Sequence, residues 1–288
     1  MLNNDVVGKK FAQRTYDYTW RDVILYALGV GAKADELDYL WEKNLNVIPT
    51  FGVVPVFGIV GVNPPMDKPS GVAMTLPLND VMAGLHAEHE LTIHKRISPQ
   101  GGRLKFDDIV TSVYDRGEGK GAVVITEEPV YDEEGDLVFR NKMSTIFRND
   151  GGFGGESPPK NPIDIPERSP DYTADDMIWE AQHLLYRLSG DTNLTHVDLD
   201  FARSIGLERP IMHGLCSFGF ACRLGIKLLI PGQPERLTRI AAQMRNPLFP
   251  GTKVRMQVWK ISEKVAYFRF YDLQYNRAIL DRGILEWS

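Results

Sequence analysis

Three polar residues with complementary chemistry fall within six positions of one another: Asp191, Asn193 and His196, in the stretch "YRLSGDTNLTHVDLDFA" from Tyr186 to Ala202. An imidazole titrates near neutrality and can take and return a proton. A carboxylate four or five residues away in a loop can face the same cavity and share a water with it. The alternative is local: Asp191 caps the turn that follows, and His196 is a polar residue at a helix start. A second group is "RPIMHGL", Arg209 to Leu215, immediately before a long apolar run. A glycine at a helix N-terminus, Gly214, can present its backbone N–H and the helix dipole to a developing oxyanion. It can equally well serve only to relax the turn, with His213 as an N-terminal polar residue.

Other motifs carry less. "HAEHE", His86 to Glu90, lacks the HExxH order that sets two histidines one helical turn apart, so a rim or packing role fits it better. "GGFGG", Gly151 to Gly155, is not a GxGxxG fingerprint and no helix follows it, which speaks against nucleotide binding. "YDRGEGKG", Tyr114 to Gly121, reads as a hairpin turn whose Arg116 and Lys120 could meet an anionic ligand. There is no GxSxG elbow, and neither cysteine has the setting of a nucleophile.

The elements that must position these residues repeat. "WRDVILYALGVGAKADELDYLWE" from Trp20 and "MIWEAQHLLYRLSGDTNLTHVDLDFA" from Met177 share an amphipathic helical period followed by small residues, the mark of a diverged internal duplication. Aligned on those helices, Gly31 stands opposite Asp191, Lys33 opposite Asn193 and Glu36 opposite His196. The polar triplet therefore belongs to one copy only, which favours a site in the second half and a structural first half. Strands are expected near Lys105 to Tyr114, Ala122 to Tyr131 and Leu137 to Arg148, then near Leu237 to Gln243, Lys253 to Ile261, Val265 to Leu273 and Ala278 to Trp287. Their alternating apolar, aromatic and β-branched residues suit antiparallel strands packed on one face. Between the halves lies a Gly- and Pro-rich linker without periodicity. The run from Met212 to Ile230 is apolar almost all round and predicts a buried helix. Its counterpart, residues 63–91, is broken by Pro and Gly and cannot form an equally long one.

Composition narrows the function classes. The 288 residues allow one large domain or two of roughly 140 residues. A net charge of −5 with no basic stripe excludes nucleic acid as a ready partner. No apolar run reaches the length of a membrane span. Cys216 and Cys222, six apart in one helix, read as buried residues of a reducing compartment. The N-terminus has no signal-peptide pattern and the C-terminus no peroxisomal tripeptide, so the expected location is cytoplasmic, or peroxisomal if the sequence is part of a longer eukaryotic chain.

Taken together, "YRLSGDTNLTHVDLDFA" and "RPIMHGLCSFGFA", with "YALGVGA", "PTFGVV", "LHAEHEL", "DRGEGKG", "GGFGG" and "NPLFPG", resemble the hydratase 2 motifs of the MaoC-like dehydratases, including the hydratase 2 unit of peroxisomal multifunctional enzyme type 2. The resemblance covers nearly the whole chain. It implies an α+β double hot-dog fold, two antiparallel sheets each wrapping a helix, with the first-half helix shortened to make room for a long acyl chain. The implied units are residues 1–150, non-catalytic; a linker, 151–172; and residues 173–288, catalytic. The implied reaction is reversible addition of water to a trans-2-enoyl-CoA, giving a (3R)-3-hydroxyacyl-CoA, without metal or redox cofactor. It carries catalytic roles to Asp191, His196, Asn193 and Gly214, and substrate contacts to His86, Ala87, Arg116, Gly117, Thr192, Leu194, Thr195 and Met244. It also implies a homodimer with an acyl-CoA thioester as its partner. Three departures stand out: Ala87 where the family usually has Gly, Arg116 where it has Lys, and Asn-Leu-Thr-His where it favours Asn-Pro-Leu-His. Losing that proline removes a fixed φ from the loop. Rival readings are a hot-dog thioesterase, whose water attacks the thioester carbonyl, and a non-catalytic acyl-CoA-binding protein.

Overall fold

The computed structural model describes residues 2–11, 13–58, 76–80 and 84–288. Most of the broken first-half segment, 63–91, lies outside the described residues up to Gly84, apart from 76–80. Among the described residues eleven strands are present: β1 (Arg14–Thr19), β2 (Gly84–Ile93), β3 (Gly101–Phe106), β4 (Ile109–Asp115), β5 (Ala122–Tyr131), β6 (Leu137–Phe147), β7 (Tyr172–Met177), β8 (Leu237–Met244), β9 (Lys253–Lys260), β10 (Val265–Asp272) and β11 (Arg277–Trp287). Four α-helices accompany them among the same residues: α1 (Trp20–Gly29), α2 (Gln182–Tyr186), α3 (Leu199–Ser204) and α4 (Gly214–Leu229).

The sheet runs β1-β3-β5-β6-β2-β8-β11-β10-β9-β7, with β4 paired to β5 off that path, and every pairing is antiparallel. Read outward from the β2–β8 seam, the order is the same on both sides: β2-β6-β5-β3-β1 mirrors β8-β11-β10-β9-β7. Each outermost strand leads into a helix, β1 into α1 and, four residues on, β7 into α2. The duplicated helices thus belong to duplicated sheets, and the two sheets join edge to edge as one double hot-dog.

The four strands expected in the second half, β8 to β11, lie where their alternation places them. The expected strand from Lys105 to Tyr114 is instead broken between Phe106 and Ile109, because Asp108 turns inward to Arg14 (2.5 Å) and beside Glu128. Strands β1, β2 and β7 were not foreseen. β1 and β7 are the sheet edges and carry charges that mask a strand pattern; Asp17 pairs across to Arg103 and Asp175 to Arg255. β2 lies in the middle of the joined sheet yet carries His86, Glu88, His89 and Glu90.

The core runs through both halves, and α4 is its axis. Residues Leu215 to Ile226 are all buried, and its Phe218 and Phe220 are fully enclosed. Burying a side chain of that size is worth about 1.5–3 kcal/mol. His213 is the N-cap, in extended backbone (φ −62°, ψ 137°), so the helix begins at Gly214, two residues inside the expected run. Cys216 and Cys222 are free and buried on it.

The first-half counterparts of the polar triplet have a structural use. Gly31 has φ +80°, and a Cβ there would come within 2.3 Å of the Phe220 ring. Glu36 accepts from Arg223 at 2.6 Å, Asp176 on β7 takes the other end of the same guanidinium, and Arg223 Nε donates to the Val30 carbonyl at 3.1 Å. Lys33 closes on Asp176 at 2.8 Å. Where the second half carries polar loop chemistry, the first half ties itself to α4 by a buried charge network.

Candidate active site

The segment after α2 ends in a 3-10 turn over Arg187–Ser189, and Gly190, at φ +126°, lets the chain reverse into Asp191. A second 3-10 turn spans Leu194–His196. Asn193 caps it: its side-chain Oδ1 accepts the Thr195 N–H at 2.9 Å, and its carbonyl accepts the His196 N–H at 3.1 Å. Asp191 in turn accepts the Asn193 N–H at 3.2 Å. Hydrogen bonds of the loop itself hold the turn that a proline would otherwise stiffen, and Ile211 N–H reaches the Thr195 carbonyl at 3.4 Å from the strand-like lead into α4.

His196 is oriented by one bond. Its Nδ1 lies 2.9 Å from the Ile211 carbonyl, which can only accept, so the neutral ring carries its proton on Nδ1 and leaves Nε2 bare. Burial, opposed by the Asp191 charge and the Ile211 carbonyl, lowers the His196 pKa from 6.5. The ring is therefore a neutral base at physiological pH, next to a carboxylate. Ligand atoms of Asp191, His196 and His213 all lie within 4.8 Å of one another, a gap that one water spans.

The same three residues have metal-ligand chemistry, and two of their ring nitrogens are already engaged by backbone carbonyls, His196 Nδ1 by Ile211 and His213 Nε2 by Asp191. The His196 and His213 rings lie against each other, with centroids 3.7 Å apart and planes tilted by 31°. His213 also faces the Asp191 carbonyl through Nε2 at 3.2 Å.

Gly214 opens α4 directly after His213, so its N–H is one of the first-turn donors without an intrahelical acceptor. A Cβ on Gly214 would meet Met244 Sδ at 3.4 Å, which puts Met244, the last residue of β8, against the helix start. β2 and β8 pair from Glu88 and Gln243 onward, which sets Ala87 at the same end of the seam as Met244. His86 packs edge-on to His89 at 5.2 Å, and His89 does the same to Phe218 of α4 at 5.4 Å. Burial depresses both histidines, His86 to about 3 and His89 to about 4. His89 Nε2–H donates to Asn141 at 3.0 Å, so the packing role expected for this motif holds for His89. Thr192 is buried with no hydrogen-bond partner for its hydroxyl, while Leu194 and Thr195 are half-buried in the turn.

Arg116 and Gly117 sit elsewhere, in the β4–β5 hairpin, and no hydrogen bond, ion pair or ring contact among the described residues joins that turn to Asp191 or His196. The neighbouring Asp115 explains the glycine-rich junction: its carboxylate accepts N–H from Gly152 (2.8 Å), Gly117 (2.7 Å) and Gly154 (2.7 Å). Those bonds hold its pKa below the usual carboxylate range, so "GGFGG" cradles the chain's own anion. The residue that motif reading placed only at a helix end is His213, which the structure brings into the site. Its one sequence signal is its place as the residue before Gly214.

A double hot-dog with an aspartate and a histidine set beside the N-terminus of one central helix is the class of protein this architecture defines. Residues 16–149 match the family model of the MFE-2 hydratase 2 N-terminal domain, and residues 162–272 match that of the MaoC like domain. The chain belongs to this MaoC-like hydratase 2 family. It is 34% identical to 3-hydroxyacyl-thioester dehydratase Y of Mycobacterium tuberculosis, over 99% of this chain and 98% of that one. It is also 34% identical to peroxisomal multifunctional enzyme type 2 of Mus musculus, where 91% of this chain corresponds to 35% of a longer protein. In three dimensions it matches a MaoC-like dehydratase from Phytophthora capsici with a TM-score of 0.88 and 28% identity, covering 100% of this chain and 98% of that one.

Proposed function

We propose that the chain is a hydro-lyase that reversibly adds water to a trans-2-enoyl-CoA, giving a (3R)-3-hydroxyacyl-CoA in fatty acyl-CoA metabolism. The observation that carries this reading is a neutral His196 with a bare Nε2 beside Asp191, next to the N-terminus of α4. Related proteins whose names record thioester dehydration or enoyl-CoA hydration support it.

In this reading a water lies between the Asp191 carboxylate and His196 Nε2. Nε2 takes one of its protons as the oxygen bonds to C3. The C2–C3 π electrons move toward the thioester, where the Gly214 N–H and the α4 dipole stabilise the enolate-like oxygen. Nε2–H then returns the proton to C2, so one hydroxyl and one hydrogen have been added and His196 ends neutral. Asp191 orients the water and stabilises the transient imidazolium. Asn193 holds the turn, and Thr192, Leu194, Thr195, Met244, His86 and Ala87 line the acyl path, while Arg116 and Gly117 reach the CoA. The first half, residues 1–150, accommodates the acyl chain and residues 173–288 carry catalysis, joined by 151–172.

The same reading takes a homodimer in the cytoplasm. Trp20, Leu28, Trp179, Leu184 and Leu188 are exposed around α1 and α2, apolar surface that a second copy would cover, and the free buried cysteines suit a reducing compartment. Among the described residues no helix is long and apolar enough to cross a membrane.

The test is hydration of a series of trans-2-enoyl-CoA lengths with the product's chirality determined. Asp191→Asn and His196→Gln each lose at least about a hundredfold in rate, as removal of a positioned acid or base does. Near-normal hydration by either folded variant, or an S product, refutes the reading. Free CoA thiol would mark a thioesterase, and binding with the enoyl absorbance unchanged a non-catalytic carrier.

A further inference from the structure

We propose that His213 is a positioning residue that ties the carboxylate loop, the base and the oxyanion donor of the site into one rigid unit. The inference rests on the hydratase reading for its kinetic arm. Three contacts carry it. First, His213 Nε2 lies 3.2 Å from the backbone carbonyl of Asp191, an atom that only accepts, so Nε2 holds the proton and pins the loop just at the carboxylate. Second, the ring packs against His196 at 3.7 Å, with planes tilted by 31°, and against buried Tyr186 at 4.9 Å, which constrains the plane of the base. Third, its own backbone is the N-cap of α4, one residue before Gly214. His213 thereby adds a side-chain tie between the Asp191–His196 loop and the start of α4, beside the one that Ile211 makes to Thr195 and His196.

The electrostatics suit the role. His213 is 1% exposed, and burial lowers its pKa well below the ordinary histidine value, with the nearby His196 acting in the same direction. It therefore stays neutral while His196 cycles through its imidazolium, so two cations are never stacked. Its Nδ1 is buried without a hydrogen-bond partner, so the imidazole is held in one tautomer and has no proton to exchange along that edge. Proton transfer thus belongs to His196, and orientation to His213.

Two variants separate the N–H from the ring. His213→Phe keeps an aromatic face and loses the donor; His213→Gln keeps a donor at the Nε2 position and loses the ring. The expected result is a fall in kcat of at least about tenfold for His213→Phe with KM within about threefold, the mark of lost orientation. His213→Gln should recover at least half of that loss on a logarithmic scale. A folded His213→Phe with wild-type kcat overturns the proposal, and so does an equal loss in both variants, which would show that the Nε2–H bond to Asp191 does not carry the positioning. If wild-type protein does not hydrate enoyl-CoA, the functional reading fails while the structural claim stays testable. In wild-type protein labelled with 15N-histidine, long-range 1H–15N correlation at neutral pH should find His213 protonated on Nε2 and bare on Nδ1. The reverse tautomer, or an imidazolium, overturns the proposal without any variant having to fold.

Discussion

Replacing Arg223 with Met should be among the most destabilising single changes in this chain. The guanidinium is 1% exposed and faces Glu36 and Asp176, whose side chains are 10% and 7% exposed. Met keeps most of the aliphatic stem and removes three hydrogen bonds, to Glu36, Asp176 and the Val30 carbonyl. Asp176 retains Lys33 at 2.8 Å, whereas Glu36 keeps only the Lys33 backbone N–H at 2.9 Å. The orphan is thus Glu36, a buried carboxylate without a cation. Breaking a buried ion pair from one side typically costs about 3–5 kcal/mol. For a chain of this size that corresponds to a fall in Tm of roughly 10 °C. Urea denaturation followed by circular dichroism reads the loss, and adding Glu36→Gln to Arg223→Met separates the cause. If an uncompensated charge is what hurts, the double variant should regain about half of the lost stability. A single variant within about 1 kcal/mol of wild type, or a double variant less stable than the single, would show that the network does not lock the first half to α4 in the way the geometry implies.

Two further outcomes test the site. Burial holds the His196 pKa below 6.5, and the protonated ring is the inactive form, so activity should persist as pH falls through 6.5. A pH profile of kcat/KM should place its acid limb below 6.5; a limb at or above that value would contradict the buried, neutral base. Gly214→Ala should fold with little change in Tm, because its Cβ would meet Met244 Sδ at an ordinary 3.4 Å and the backbone needs no positive φ. Its hydration rate should nonetheless drop by roughly tenfold to a hundredfold if the thioester oxygen approaches that N–H, approaching the loss of one oxyanion donor. Wild-type turnover by Gly214→Ala, measured under saturating substrate, would show that the close approach a glycine permits is not needed there.

What the sequence determined by itself is local. The apolar period of the two helices, the alternation of β8 to β11, the buried run of α4 and the Asp191–His196 spacing are properties of neighbouring residues. They can be read because a helix or strand shows its buried face within a dozen positions. The turn that presents the pair is local too, since Asn193, Thr195 and His196 bond within it. The edge strands β1 and β7 were hidden, because cross-strand partners such as Arg103 and Arg255 lie 86 and 80 positions away from the aspartates they pair with. Only the tertiary structure decided which residues gather around Asp191 and His196. The bare Nε2 of His196 exists because Ile211, 15 residues on, supplies a carbonyl, and His213 enters because it reaches back 22 residues to Asp191. Met244 and Ala87 come to one end of the β2–β8 seam from opposite halves. Glu36, which in the sequence is merely the place where a histidine is missing, becomes the partner of a buried arginine 187 residues away. Those pairings follow from burying two apolar faces around one helix, and that choice is made by the whole chain because no local segment can bury its own face alone.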